Sequence, residues 1–232
     1  MIKFEYKYLD NDFIKIFNSG DKNFLREIGK NVFYGKILND NFCNLLLEKV
    51  KAYELLEDKK LNQHANSMHG SAILLDDLGF SDFIYDFVNE ILVNVIHSTF
   101  PERMSQEFDG IHSYVVRYGN TRDKNLDFHV DDSLVTMNLC LNKQFTGSEL
   151  VFNGVRCPIH IDSAYQDTEK IIVNHQKGFA VLHDGKNRHY VNSILDGTRY
   201  GLIVWCQNFN ERKNWFESLQ KRECTVFCDF KK

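Results

Sequence analysis

The sequence predicts an α+β domain whose N-terminal helices support a β-sandwich or barrel. Three observations carry this. Up to about residue 110 the apolar residues recur at helical steps of three and four. Beyond it they alternate with period two. Gly110, Gly147, Gly154, Gly178, Gly185 and Gly197 then divide the second half into strand-length pieces. Helices first and short strands after make a segregated architecture. Residues 1–232 read as a single domain: 1–110 mainly helical support, 111–207 the strand-rich core, and 208–232 a C-terminal extension.

In chain order, Asp21 to Lys30 reads as a short helix, with Asp21 as N-cap and Gly29 near its stop. From Asn41 to Leu56 the residues Phe42, Leu45, Leu46, Val50, Tyr53 and Leu56 form one buried helix stripe. Ser81 is placed to cap a second helix, with the stripe Phe83, Ile84, Phe87, Val88, Ile91, Leu92 and Val95. Pro101 ends it, because proline cannot donate the backbone hydrogen bond. Strands are expected at Ile111–Tyr118, Leu126–Val130, Leu134–Leu141, Glu149–Phe152, Lys170–Val173, Phe179–Leu182 and Arg199–Gln207. In Leu134–Leu141 the side chains of Val135, Met137, Leu139 and Leu141 share one face. Thr136, Asn138 and Cys140 share the other, as in a sheet with helices on one side and a functional interior on the other.

Composition narrows the function. The 232 residues are 43% apolar and 26% charged, enough to bury a core without disulfides. A net charge of −4 argues against a dedicated nucleic-acid binder, which carries a basic excess. No stretch approaches the ~20 apolar residues of a membrane span, so no membrane partner is expected. Met1-Ile2-Lys3-Phe4-Glu5-Tyr6-Lys7 has no apolar signal core, and a cytoplasmic location is expected. The six cysteines are scattered, and reduced thiols follow. Cys224 and Cys228 form a close pair, but two donors do not complete a zinc site. They are expected to be ordinary thiols.

The sharpest motif is Phe128-His129-Val130-Asp131. Residues two apart on a strand point the same way, so His129 and Asp131 can reach one metal. His189, in Asn187-Arg188-His189-Tyr190-Val191, can supply a third ligand. Two imidazoles and a carboxylate on one face of a metal are the facial triad of non-haem Fe(II) oxygenases, with positions left open. Arg199 follows ten residues after His189 and shares a strand face with Gly201, Ile203 and Trp205. A buried arginine is destabilising unless an anion pairs with it. Bidentate recognition makes a dicarboxylate the natural anion.

Several segments carry a family likeness: Val115-Val116-Arg117-Tyr118-Gly119 through His129-Val130-Asp131; Thr136-Met137-Asn138-Leu139-Cys140-Leu141-Asn142; Phe145-Thr146-Gly147-Ser148-Glu149-Leu150; Gly178-Phe179-Ala180-Val181-Leu182-His183; and His189 with Gly197-Thr198-Arg199-Tyr200. With these the sequence resembles the 2-oxoglutarate- and iron(II)-dependent oxygenase superfamily, in its prolyl-4-hydroxylase-like branch. It is most like the 2-oxoglutarate and iron-dependent oxygenase domain-containing proteins. That likeness also takes in Asn66-Ser67-Met68-His69, Leu75-Asp76-Asp77-Leu78-Gly79 and the Cys224/Cys228 pair, about residues 31 to 232.

The resemblance implies a distorted double-stranded β-helix, or jelly roll, buttressed by N-terminal helices. It implies that His129, Asp131 and His189 bind Fe(II) and that Arg199 holds the distal carboxylate of 2-oxoglutarate. Tyr118 is implied as a hydrogen-bonding partner of that cosubstrate, and Asn138 and Thr136 as completing the pocket. With O2, and ascorbate as reductant, the expected reaction hydroxylates a C–H bond of a protein side chain, giving succinate and CO2. Two alternatives stand beside it: an oxygenase acting on a small metabolite or nucleobase, and a degenerate jelly roll that only binds a partner. Many relatives carry Ser or Thr two residues after the arginine, adding a hydrogen bond to the carboxylate; here that position is Gly201. His183 could compete as third ligand, but the step to Arg199 favours His189, and His183 is expected at the pocket mouth or in solvent. His64, His97, His112, His160 and His175 have no partner at ligand spacing.

Overall fold

The computed structural model describes residues 2–21, 23–57, 72–103, 107–121, 123–225 and 228–231. His64 and Asn66-Ser67-Met68-His69, and the side chain of Leu56, lie outside the described residues.

The first helix, α1 (Asn11–Ser19), is capped by Asp10, whose carboxylate accepts from Asp12 N at 3.0 Å. The helix expected over Asp21–Lys30 does not form. Asp21 instead accepts from Asn23 N at 2.9 Å, closing a local turn; short polar side chains offer the backbone this alternative to a helix. Arg26–Gly29 is a strand, β1, paired with β2 (Val32–Lys36).

Helix α2 (Asp40–Glu57) starts from Asn39, whose side-chain oxygen accepts from Asn41 N and Phe42 N, both at 3.1 Å. Phe42, Leu46 and Val50 are buried and Leu45 and Tyr53 pack beside them, as the stripe predicts. After the short β3 (Ile73–Leu74), α3 (Ser81–Phe87) passes through a π turn at Val88–Leu92 into α4 (Val93–Thr99). The expected stripe from Phe83 to Val95 is buried throughout. Ser81 is not the cap: it is the first helical residue, and its hydroxyl donates to Asp76 at 2.9 Å. Phe83 stacks on Phe42 with centroids 4.7 Å apart, locking this helix onto α2.

The remaining strands are β4 (Gly110–Gly119), β5 (Leu126–His129), β6 (Val135–Cys140), β7 (Phe145–Gly147), β8 (Leu150–Val155), β9 (Lys170–Val173), β10 (Phe179–Asp184), β11 (Asn187–Val191) and β12 (Ile194–Gln207). A final helix, α5 (Phe209–Lys221), is capped by Asn208, which accepts from Glu211 N at 2.9 Å. It falls in the segment expected only as an extension. The strands form two antiparallel sheets. The major sheet runs β1-β2-β10-β6-β12-β4-β3, with β7 added to β12; the minor sheet runs β5-β11-β8-β9. Residue 110 therefore does not divide helices from strands, because β1, β2 and β3 extend the major sheet from the N-terminal side.

Two cores result. Val135, Met137 and Leu139 of β6, with Leu141 just beyond it, join Leu182, Leu202 and Val204 under the helices. On the opposite side, Tyr114, Val116, Tyr118 and Ile203 of the major sheet meet Leu150, Phe152 and Val191 of the minor one. Thr136 and Asn138 belong to this second, inter-sheet face and are both buried. The alternation within β6 thus assigns helices to one side of the sheet and polar side chains to the interior. Among the described residues no helix is long and apolar enough to cross a membrane.

Candidate active site

His129 closes β5 and His189 sits in the middle of β11, directly opposite it in the antiparallel register. Their rings lie 4.1 Å apart between centroids. Asp131 is not on the strand as its spacing suggests, since β5 ends at His129. The chain turns there, and Asp131 N donates to Gly185 O at 2.8 Å. That contact brings the β10–β11 turn so close that a Cβ at Gly185 would stand 2.2 Å from Ser133 O. Only glycine fits.

The Asp131 Oδ1 atom lies 3.5 Å from His129 Nε2 and 3.7 Å from His189 Nε2. The three side chains could hold one metal ion, with ligand atoms all within 4.8 Å of one another. Each imidazole is preset for this. The carbonyls of Asp127 and Asn187 accept from Nδ1 of His129 and His189 at 2.7 and 2.8 Å, which directs both Nε2 atoms toward Asp131. The carboxylate is preset as well. Thr136 donates to Asp131 Oδ2 at 2.6 Å and in turn accepts from Ser133 at 2.7 Å. Thr136 thus faces the interior as expected, but its hydroxyl proton orients the carboxylate.

Burial by itself would raise the Asp131 carboxyl, but the imidazoles of His189, His129 and His183 outweigh it and hold the group well below the usual carboxylate range. Burial and the neighbouring charge of His129 push His189 down to about 3. His129 is raised: burial opposes its charge, and the hydrogen bond that its ring donates to the Asp131 carboxylate, with the charge of that carboxylate, overcomes this. An ionised carboxylate beside a neutral His189 is the protonation state a divalent cation requires.

His183 is neither at a mouth nor solvated. It is fully buried on β10, packs edge-on to Phe152, and its Nε2 lies 3.8 Å from Asp131 Oδ2. That is the oxygen already engaged by Thr136. Its position follows from the register, because His183 pairs with Thr136 across the β10–β6 ladder.

Arg199 is fully buried on β12, beside Tyr118 of β4 in the ladder. Its Nε donates to Ser148 Oγ at 2.9 Å, while neither terminal amino group has a hydrogen-bond partner. The guanidinium carbon lies 4.5 Å over the Tyr118 ring. Burial raises the Tyr118 phenol, with the Arg199 charge opposing. Asn138 Oδ1 is likewise buried without a partner. Gly201 leaves room here: a Cβ at that position would meet Val116 Cγ2 at 3.3 Å, Arg199 Nη1 at 3.4 Å and Asn138 Oδ1 at 3.7 Å. Sequence reasoning missed Ser148, although it lies inside the quoted Phe145–Leu150 segment. It also missed Ser133, whose hydroxyl donates to Thr136.

The expectation that Cys224 and Cys228 lack further donors, and that His160 has no partner, is overturned. Cys157 and His160 stand against the pair in a second cluster. Sixty-seven residues separate Cys157 from Cys224, a distance along the chain that no local motif spans.

Comparison with known proteins finds sequence relatives and a shared fold. The OGFOD2-like domain family matches residues 2–105. The 2-oxoglutarate and iron-dependent oxygenase domain-containing protein ICU11 of Arabidopsis thaliana is 37% identical over 188 residues, covering 79% of this chain and 47% of that protein. The 2-oxoglutarate and iron-dependent oxygenase domain-containing protein 2 of Danio rerio is 29% identical over 204 residues, covering 88% of this chain and 57% of that one. The chain therefore spans about half the length of these curated relatives. Among solved structures, a Trichoplax adhaerens prolyl hydroxylase in complex with a hypoxia inducible factor oxygen degradation domain peptide superposes with a TM-score of 0.56 at 15% identity, covering 79% of this chain and 86% of that one. That likeness is one of fold, and it matches the pair of facing antiparallel sheets described above. With relatives of that name over most of its length, one of them 37% identical, and a jelly roll like that of the prolyl hydroxylase around its interior, the chain belongs to the 2-oxoglutarate- and iron(II)-dependent oxygenase superfamily.

Proposed function

We propose that this chain is an Fe(II)- and 2-oxoglutarate-dependent dioxygenase that hydroxylates a C–H bond of a protein side chain, releasing succinate and CO2. The observation that carries the reading is Arg199. A fully buried guanidinium with two unpartnered amino groups is a strongly disfavoured arrangement in a folded chain. It becomes favourable when a carboxylate accepts both donors side by side.

His129 Nε2, Asp131 Oδ1 and His189 Nε2 would hold the iron. When bound, iron supplies the redox chemistry with dioxygen and accepts the keto acid of the cosubstrate. The chain's own residues position and shield. Ser133 and Thr136 fix the Asp131 carboxylate, and the carbonyls of Asp127 and Asn187 fix the two imidazoles. Arg199, oriented by Ser148 and resting on Tyr118, receives the distal carboxylate in the space left by Gly201, with Asn138 beside it. Phe152, Ile203 and the rest of the inter-sheet core exclude water from the reacting centre. The protein-substrate reading is supported by the Trichoplax prolyl hydroxylase, whose structure holds a peptide.

The test is succinate release with Fe(II), 2-oxoglutarate and ascorbate against separate peptide and metabolite pools. Peptide-stimulated succinate formation that Asp131→Ala abolishes is the expected result. Stimulation by metabolites alone would reject the protein-side-chain reading.

A further inference from the structure

We propose that Cys157, His160, Cys224 and Cys228 form a structural zinc site, separate from the iron-binding residues. The first two donors come from Cys157-Pro158-Ile159-His160, just past β8. Pro158–His160 is a single 3-10 turn opened by proline, and His160 N donates to Cys157 O at 3.0 Å. This turn places Cys157 Sγ 3.2 Å from His160 Nδ1. The other two come from the segment after α5, which Arg222 ends in a left-handed conformation. There Cys228 N donates to Thr225 O at 3.2 Å. Cys224 Sγ lies 3.8 Å from Cys157 Sγ, and Cys228 Sγ lies 3.5 Å from His160 Nδ1.

These separations are the edges of a coordination tetrahedron. Zinc bonds of about 2.3 Å to sulfur and 2.0 Å to nitrogen place neighbouring sulfurs ~3.8 Å apart and sulfur and nitrogen ~3.5 Å apart. A disulfide would need the two sulfurs at about 2.05 Å, and three thiols around one imidazole would leave one unpaired. Three soft thiolates and one imidazole favour zinc over hard cations such as magnesium or calcium. Four protein donors leave no open position, so the role is structural. The site is built for it: Cys157 and Cys228 are buried, and the His160 ring stacks on Phe230 at 4.3 Å, which holds its Nδ1 edge toward the sulfurs. On binding, the three thiols enter as thiolates and release their protons to solvent.

The clamp has a direct structural consequence. Asp229, next to Cys228, accepts from Val155 N at 3.3 Å and pairs with Lys30 in the β1–β2 turn. Zinc would therefore staple the segment after α5 onto the end of β8. From β8, Phe152 packs against His189 at 5.5 Å between centroids. From β11, Arg188 donates to the carbonyls of Asn153 and Gly154 on β8 and of Ile161 in the loop that follows His160.

Metal analysis of the full chain, purified in reducing buffer without added zinc, tests this together with cobalt(II) substitution. About one zinc per chain is expected, independent of the iron-site residues. Cobalt in its place should give the intense visible bands of a tetrahedral site and a near-ultraviolet thiolate-to-cobalt transition. A His129→Ala/His189→Ala variant should keep both signals, and Cys224→Ser/Cys228→Ser should lose both while retaining Mn(II) binding at the iron-site residues. Absence of a thiolate–cobalt transition in the unmodified chain would overturn the proposal, and that measurement stands even if the cysteine variant fails to fold. Zinc content unchanged by the cysteine substitutions, or a Cys157–Cys224 disulfide under reducing conditions, would overturn it equally.

Discussion

His189→Ala is expected to abolish Mn(II) or Fe(II) binding at the His129–Asp131 pair, while His183→Ala leaves it within severalfold of the parent. The two histidines approach opposite oxygens of one carboxylate. His189 shares Asp131 Oδ1 with His129, whereas His183 faces Oδ2, which the Thr136 hydroxyl already occupies at 2.6 Å. A metal held through Oδ1 thus recruits His189 and not His183. Loss of a direct ligand should exceed the ~10–100-fold that changes to outer-shell partners cost. Anaerobic titration of each variant, followed by the electron paramagnetic resonance of free Mn(II), reads this directly. If His183→Ala loses the metal and His189→Ala keeps it, the ligand set is wrong.

Arg199→Ala should weaken 2-oxoglutarate binding by more than about a hundredfold, with Mn(II) affinity little changed. Removing one partner of a buried ion pair typically costs ~3–5 kcal/mol, and each 1.4 kcal/mol is tenfold in affinity. The effect should sit near the upper end, because the guanidinium is fully buried, Ser148 Oγ takes only its Nε proton, and both terminal amino groups are without hydrogen-bond partners. Arg199→Lys should recover only part of the loss, since a point charge cannot donate two parallel hydrogen bonds. Isothermal titration of the Mn(II) form with 2-oxoglutarate measures both. Equal affinity in the parent and Arg199→Ala would show that the dicarboxylate binds elsewhere.

The readable and unreadable parts of this fold divide by range. The alternation in Val135–Cys140 was legible because each strand residue reports its own face, and that settled where helices and interior lie. The stripes of α2 and of the Ser81–Thr99 helical segment were legible for the same reason. Asp21 misled because a capping signal and an Asx turn use the same side-chain oxygen, and only the pairing of Arg26–Gly29 with β2 decides between them. The His129-x-Asp131 spacing suggested one strand face, although Asp131 reaches the site through a turn held by Gly185. Ser148 escaped because its hydrogen bond to Arg199 joins residues 51 positions apart in the sequence. The partnership of Cys157 and His160 with Cys224 and Cys228 escaped for the same reason. It needs β8 and the end of α5 brought together before four donors meet.

Simultaneous binding of Fe(II) by His129, Asp131 and His189 and of 2-oxoglutarate by Arg199, within one interior, is the expected behaviour of the chain. Its most direct measurement is the visible spectrum of the full chain under argon, with Fe(II) and 2-oxoglutarate added at concentrations where each binds. A weak charge-transfer band that requires both additions, and that His189→Ala removes, is the predicted result. Binding of both without that band would place the metal and the keto acid apart and contradict the account.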